Sequence, residues 1–96
     1  MKFSYTTLLD YPLSDSLEHI KTADENGYYA CYAADETWHK DLWLLYAAAA
    51  EKTKNVRFGP NLSSVYLREP TLICQALATL DELTGGRAEG VISCGN

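Results

Sequence analysis

Apolar and polar positions divide this chain into four short apolar runs separated by three stretches with helical spacing. Lys2 to Leu8 (KFSYTTL) is rich in aromatic and β-branched residues and predicts a first strand. A loop from Leu9 to Leu13 contains Pro12, and Ser14 is placed to cap the helix that follows. Leu17, Ile20 and Ala23 form that helix's inner stripe, Glu18, His19, Lys21 and Glu25 its solvated face, and Asn26-Gly27 its end. Tyr28 to Ala34 is nearly all apolar, as a strand covered on both faces should be, and it delivers Asp35 and Glu36 at its carboxyl end. Thr37 is placed to cap a second helix from Trp38 to Thr53, which is apolar almost all round and therefore expected to be buried on more than one side. Val56 to Ser63 predicts a third strand, which Gly59-Pro60 should interrupt with a bulge or an irregular end.

The remaining stretch has the clearest boundaries. Pro70 has a fixed φ and no N–H, which suits a first helical turn, and Leu72, Ile73, Ala76, Leu77, Leu80 and Leu83 recur at helical spacing. Gly85-Gly86 stops the helix, and Arg87 to Ser93 reads as a fourth strand. The order βαβαβαβ implies four neighbouring parallel strands with the helices on one face. The other face is expected to be apolar as well, and both outer edges open. The expectation is therefore a single half-barrel domain over 1–96, the first half of a (β/α)8 barrel and a fragment of a longer one, or else a unit completed by a partner.

Composition narrows the function. With 47% hydrophobic residues the chain is globular, and at 96 residues a domain buries roughly two-thirds of its unfolded surface. The longest apolar run, Leu42 to Ala50, is about half a membrane span, and the N-terminus shows no signal peptide. A net charge of −5, with eight basic residues in no stripe, argues against nucleic acid. Cys31, Cys74 and Cys94 are far apart and lack C-x-x-C spacing, which predicts reduced, packed thiols in a cytoplasmic protein. Cys94 differs in lying where a strand would deliver side chains to a site.

In such barrels the carboxyl ends of the strands build the active site. Those ends offer Thr6 and Thr7, then Asp35, Glu36 and His39, then Asn61, Leu62, Ser63 and Ser64, and finally Ser93, Cys94, Gly95 and Asn96. The collection is polar with few cations, and no dinucleotide or P-loop glycine pattern is present. Asp35, Glu36 and His39 are conceivable metal ligands, but loop polarity explains them more simply, and no metal is expected.

Arg68 and Pro70, then Ala78-Thr79-Leu80-Asp81, Leu83-Thr84 and Gly86-Arg87, resemble the first half of the luciferase-like flavin and deazaflavin oxidoreductases. Within them the likeness is greatest to the methylenetetrahydromethanopterin reductases, which use the deazaflavin coenzyme F-420. The resemblance implies a luciferase-like TIM barrel that passes a hydride between reduced F-420 and a small-molecule substrate, with an FMN-dependent monooxygenase as the alternative. It places Asn61, Leu62, Ser63 and Ser64 behind the cofactor ring, in a bulge that in the relatives often carries a non-proline cis peptide, here matched by Asn61–Leu62. Asp35 matches an aspartate close to the cofactor, with a helix cap as its other reading.

Thr6, Glu36 and Asn96 fall at substrate positions, where the family pattern tends to have a strand-one glutamate, Asp-His after strand two and Gly-Asp after strand four. Two acidic groups that could assist proton transfer are thus missing, which leaves the substrate open. Arg68 and Arg87 read as structural, bonding carboxylates or helix-end carbonyls. The resemblance also implies a homo-oligomer through residues 38–53 and 70–83. Half a barrel supplies half a cofactor pocket, so the isolated chain is expected to be inactive; a non-catalytic, oligomerising half-barrel is the remaining reading.

Overall fold

Four parallel strands lie in the order β1-β2-β3-β4, and a helix carries the chain from each of the first three to the next. The computed structural model describes residues 2–7, 11–35, 40–64 and 68–93, and of Leu62, Ser64 and residues 91–93 the backbone alone. The elements are β1 (Ser4–Thr6), α1 (Leu13–Glu25), β2 (Ala30–Asp35), α2 (Leu42–Ala50), β3 (Arg57–Ser64), α3 (Pro70–Leu83) and β4 (Val91–Ser93). Every pairing is parallel, as the crossover order requires. Among the described residues no helix is long and apolar enough to cross a membrane.

One core fills the space between the sheet and its helices. Ile20 and Ala23 enter it from α1, Leu42, Trp43, Leu45, Tyr46 and Ala49 from α2, and Ile73 and Leu80 from α3. Cys31, Ala33 and Phe58 meet them from the strands, and Val56 from the residue just before β3. Tyr46, fully buried, stacks on Phe58 at 5.1 Å between centroids and donates its hydroxyl to Thr7 Oγ1 at 3.1 Å.

The helix limits follow local chemistry. Pro70 occupies the first turn of α3, Glu69 caps it by accepting from the Thr71 N–H at 2.9 Å, and Gly85 and Gly86 at φ 68° and 93° end it. Of the residues at helical spacing, Leu72 and Leu83 are 52% and 58% exposed, so the buried stripe is narrower than the spacing. Ser14 is not the cap of α1; Pro12 holds that place, with its carbonyl accepting from Asp15 and Ser16 at 3.0 and 3.1 Å. The second helix starts at Leu42, later than expected, because Asp41 accepts from the Leu44 N–H at 2.8 Å and caps it. Thr37, the expected cap, lies outside the described residues.

The guanidinium of Arg87 closes the other end of α2. It donates to the carbonyls of Ala50 at 3.2 Å and Thr53 at 3.4 Å, and to Val56 O at 3.1 Å, confirming a structural role. Cys31 is buried, and burial, with the charge of Asp24, pushes its thiol up to about 12. Cys74 is exposed, so the packing expected of every cysteine does not hold for it.

Gly59-Pro60 does not end β3. Both residues pair with β2, opposite Tyr32 and Ala33. A Cβ on Gly59 would overlap the carbonyl of Glu89, and one on Gly90 would lie 2.5 Å from the Pro60 ring. Glycine at these two places lets β3 and the approach to β4 come together.

The face away from the helices corrects a further expectation. It is not apolar: Ser4, Thr6 and Asn61 are exposed on it and Tyr32 and Arg57 half-buried. The Tyr32 and Tyr29 hydroxyls donate to Glu89 at 2.7 and 3.0 Å, and Arg57 stands 3.5 Å from the same carboxylate. Tyrosine hydroxyls bonded to a carboxylate, with an arginine paired to it, can occupy this face without a hydrophobic cover.

Candidate functional site at the carboxyl rim of the sheet

The predicted rim residues do not all face the same way. Along β2 the side chains alternate, so Cys31, Ala33 and Asp35 point toward the helices while Ala30, Tyr32 and Ala34 point to the open face. In β3, register shifts against β4 between Asn61 and Ser63 and against β2 between Pro60 and Ser63, leaving Leu62 as the extra residue of a bulge. The bulge expected at this segment is therefore present. It turns Ser63 to the helix side, where Ser63 is fully buried opposite Asp35.

Asp35 is the centre of a rim network. Its Oδ2 accepts from Arg68 Nε at 2.8 Å, Ser63 Oγ at 2.7 Å and Trp43 Nε1 at 3.3 Å, and its Oδ1 from Arg68 Nη2 at 3.0 Å. Burial alone would raise its pKa. The forked Arg68 guanidinium and the Ser63 and Trp43 donors outweigh it and hold the carboxyl below its ordinary value. Arg68 also reaches Asp41 at 3.4 Å. Asp35 thus braces strand to helix, and the cap of α2 is Asp41 instead. Arg68 bonds a carboxylate, as its structural reading held.

On the open side of the rim stand Thr6, Ala34 and Asn61. Thr7, grouped with Thr6 by sequence, turns instead to Tyr46. Ser64 pairs with Ser93 and carries β3 to the same height as the end of β4. Glu36, His39, Cys94, Gly95 and Asn96 lie outside the described residues. Among the described residues no three His, Cys, Asp or Glu side chains gather as metal ligands. A groove of about 740 Å³ lies elsewhere, between α1 and the start of β1, lined by Phe3, Tyr5, His19 and Tyr28 among others.

Sequence reasoning missed Trp43 and Asp41 as members of the rim network, and Glu89 with Tyr29 and Tyr32 on the open face. A donor such as the Trp43 indole, two residues after a capping aspartate, is the signal that was available for the first pair.

A profile described as luciferase-like monooxygenase matches residues 1–96. The chain belongs to this family. Among family members, 5,10-methylenetetrahydromethanopterin reductase of Archaeoglobus fulgidus is 26% identical over all of this chain and 29% of its own length. The solved coenzyme F-420-dependent tetrahydromethanopterin reductase of Methanopyrus kandleri superposes with a TM-score of 0.93 at 27% identity, covering 99% of this chain and 27% of that one. The oxygenating constituent of 3,6-diketocamphane monooxygenase of Pseudomonas putida, in complex with FMN, gives 0.82 at 19% identity over 100% of this chain and 30% of that one, a likeness of fold. The chain therefore spans under a third of the length of these luciferase-like relatives, and its four strands correspond to part of their TIM barrel.

Proposed function

We propose that this chain forms the first four strands of the barrel of an oxidoreductase that passes a hydride between reduced coenzyme F-420 and a small-molecule substrate, in the manner of a methylenetetrahydromethanopterin reductase. The observation that carries this reading is the 0.93 superposition on the F-420-dependent reductase, with 27% identity, over nearly the whole chain. The rim fits the cofactor: Thr6, Ala34 and Asn61 put small or uncharged hydrogen-bonding groups on the open side, where a flat ring needs room and polar edges. The coenzyme, when bound, supplies the hydride.

This chain's residues then do the placing. Asn61 to Ser64 form the shelf behind the ring, and Asp35 and Ser63 hold that shelf from the helix side. Thr6, with Glu36 and Asn96, falls to the substrate. The isolated 96-residue unit, with one side of its pocket open, is inactive. It associates through residues 38–53 and 70–83, a reading supported by Leu44 and Leu72 exposed on α2 and α3 at 74% and 52%.

Fluorescence titration of the chain joined to the remaining four strands of a barrel, with F-420 and with FMN, tests this reading. Micromolar or tighter binding of F-420 and weaker binding of FMN is expected. Preference for FMN would instead favour a flavin monooxygenase, a reading that the shared fold with the FMN-bound enzyme keeps open. Binding of neither would leave a non-catalytic half-barrel.

A further inference from the structure

Four parts of the chain converge on one carboxylate at the rim: β2 supplies Asp35, β3 Ser63, α2 Trp43, and the residues leading into α3 Arg68. The convergence falls where β3 has an extra residue. A bulge in an internal strand disrupts pairing to both neighbours, so something must hold the chain on its far side. Ser63 is the first residue paired again after the bulge, and its hydroxyl is tied to Asp35 at 2.7 Å. Arg68 grips both oxygens of Asp35 in a fork, and Pro70, two residues on, begins α3.

A carboxylate offers about four acceptor positions. Asp35 receives four donations, three on Oδ2 and one on Oδ1, and its residue is 8% exposed. Ser63 has no exposed surface at all. Neither side chain is free to meet a ligand on the open face, although both sit at the height of the rim.

We propose that the Asp35–Arg68 pair is a positioning device: acting through Ser63, it fixes the backbone beyond the Leu62 bulge as a rigid shelf for the cofactor ring. Asp35, Ser63 and Arg68 are positioning residues that do not touch the ring. The inference rests on the function proposed above and assigns Asp35 and Ser63 an indirect part in it.

The test uses the chain joined to the remaining four strands of a barrel, with F-420 and FMN affinities read by fluorescence titration and Tm by calorimetry. Ser63→Ala removes one donor with little change of volume and keeps the fold; Arg68→Lys keeps the charge but loses the fork. Asp24→Asn, at the opposite end of the sheet, serves as a destabilised control. Ser63→Ala and Arg68→Lys should each weaken cofactor binding about tenfold, since small misplacements of a preorganised site are costly. Asp24→Asn should lower Tm and leave affinity at the wild-type value. Wild-type affinity in both rim variants, or an equal loss in the control, would overturn the inference. Failure of the wild-type protein to bind either cofactor would overturn the functional reading itself, a different result.

Discussion

The Asp24 carboxylate, on the last turn of α1, accepts the N–H of Val56 at 2.9 Å just before β3 begins. It also accepts from Asn55 at 2.8 Å and Lys54 at 3.0 Å, so one side chain satisfies three successive amides of the loop below the sheet. Burial would raise its pKa, but these amides and the charge of Arg87 outweigh it, and the carboxyl is more acidic folded than unfolded. The sign of the pH dependence follows. The stabilisation is full above the unfolded value of about 3.9 and is lost as pH falls through the lower folded one. Asp24→Asn should cost about 2 kcal/mol at neutral pH and flatten the acid limb, as urea unfolding at pH 7 and pH 3 would show.

Arg87 ties α2 to the strand bottoms. Arg87→Ala should destabilise the protein by about 2 kcal/mol, because helix-end carbonyls lose a charged donor. Arg87→Lys should recover less than half, since an ammonium cannot reach Thr84 O, Val56 O and Ala50 O together. Equal stability of the lysine variant and the wild type in urea would contradict this.

Much of this was legible from the chain, and the omissions have physical reasons. The bounds of α3 were visible because Pro70 and Gly85 act through their own backbone preferences, which need no partner. The start of α2 was not, because the cap at Asp41 is ordinary in sequence and Thr37 looks equally able. Rim membership of Asp35 and Ser63 could be read from their places at strand ends. The direction of Ser63 could not, since it depends on an extra residue in β3 that resets the alternation. Nor does spacing show that Tyr32 and Glu89, 57 positions apart, share a bond on the open face.

Gly59 permits no side chain. Gly59→Ala would drive a methyl group into the Glu89 carbonyl, and backbone has no rotamer by which to yield. Loss of the folded state, or a fall in Tm of roughly ten degrees or more, is expected by calorimetry. Gly27→Ala, where nothing lies near but φ is 78°, should cost only about 1 kcal/mol.

The exposed leucines bear on association. Leu44 is 74% exposed on α2, and Leu72 and Leu83 stand out on α3. Leu44→Glu with Leu72→Glu should convert an oligomer to monomer in sedimentation at micromolar concentration, because apolar contact area at about 25 cal/mol per Å² holds such interfaces. A monomeric wild type, or an unchanged sedimentation coefficient in the variant, would contradict the proposed association through these helices.

Hydride transfer itself is the most direct test of the functional account. The protein would be mixed anaerobically with reduced F-420 and methylenetetrahydromethanopterin while the absorbance of oxidised F-420 is followed. Oxidised F-420 is predicted to appear when these residues are joined to the remaining four strands of a barrel, and not with residues 1–96 alone. A completed barrel that binds reduced F-420 yet leaves it unoxidised, while consuming oxygen in the presence of reduced FMN, would contradict the proposed function.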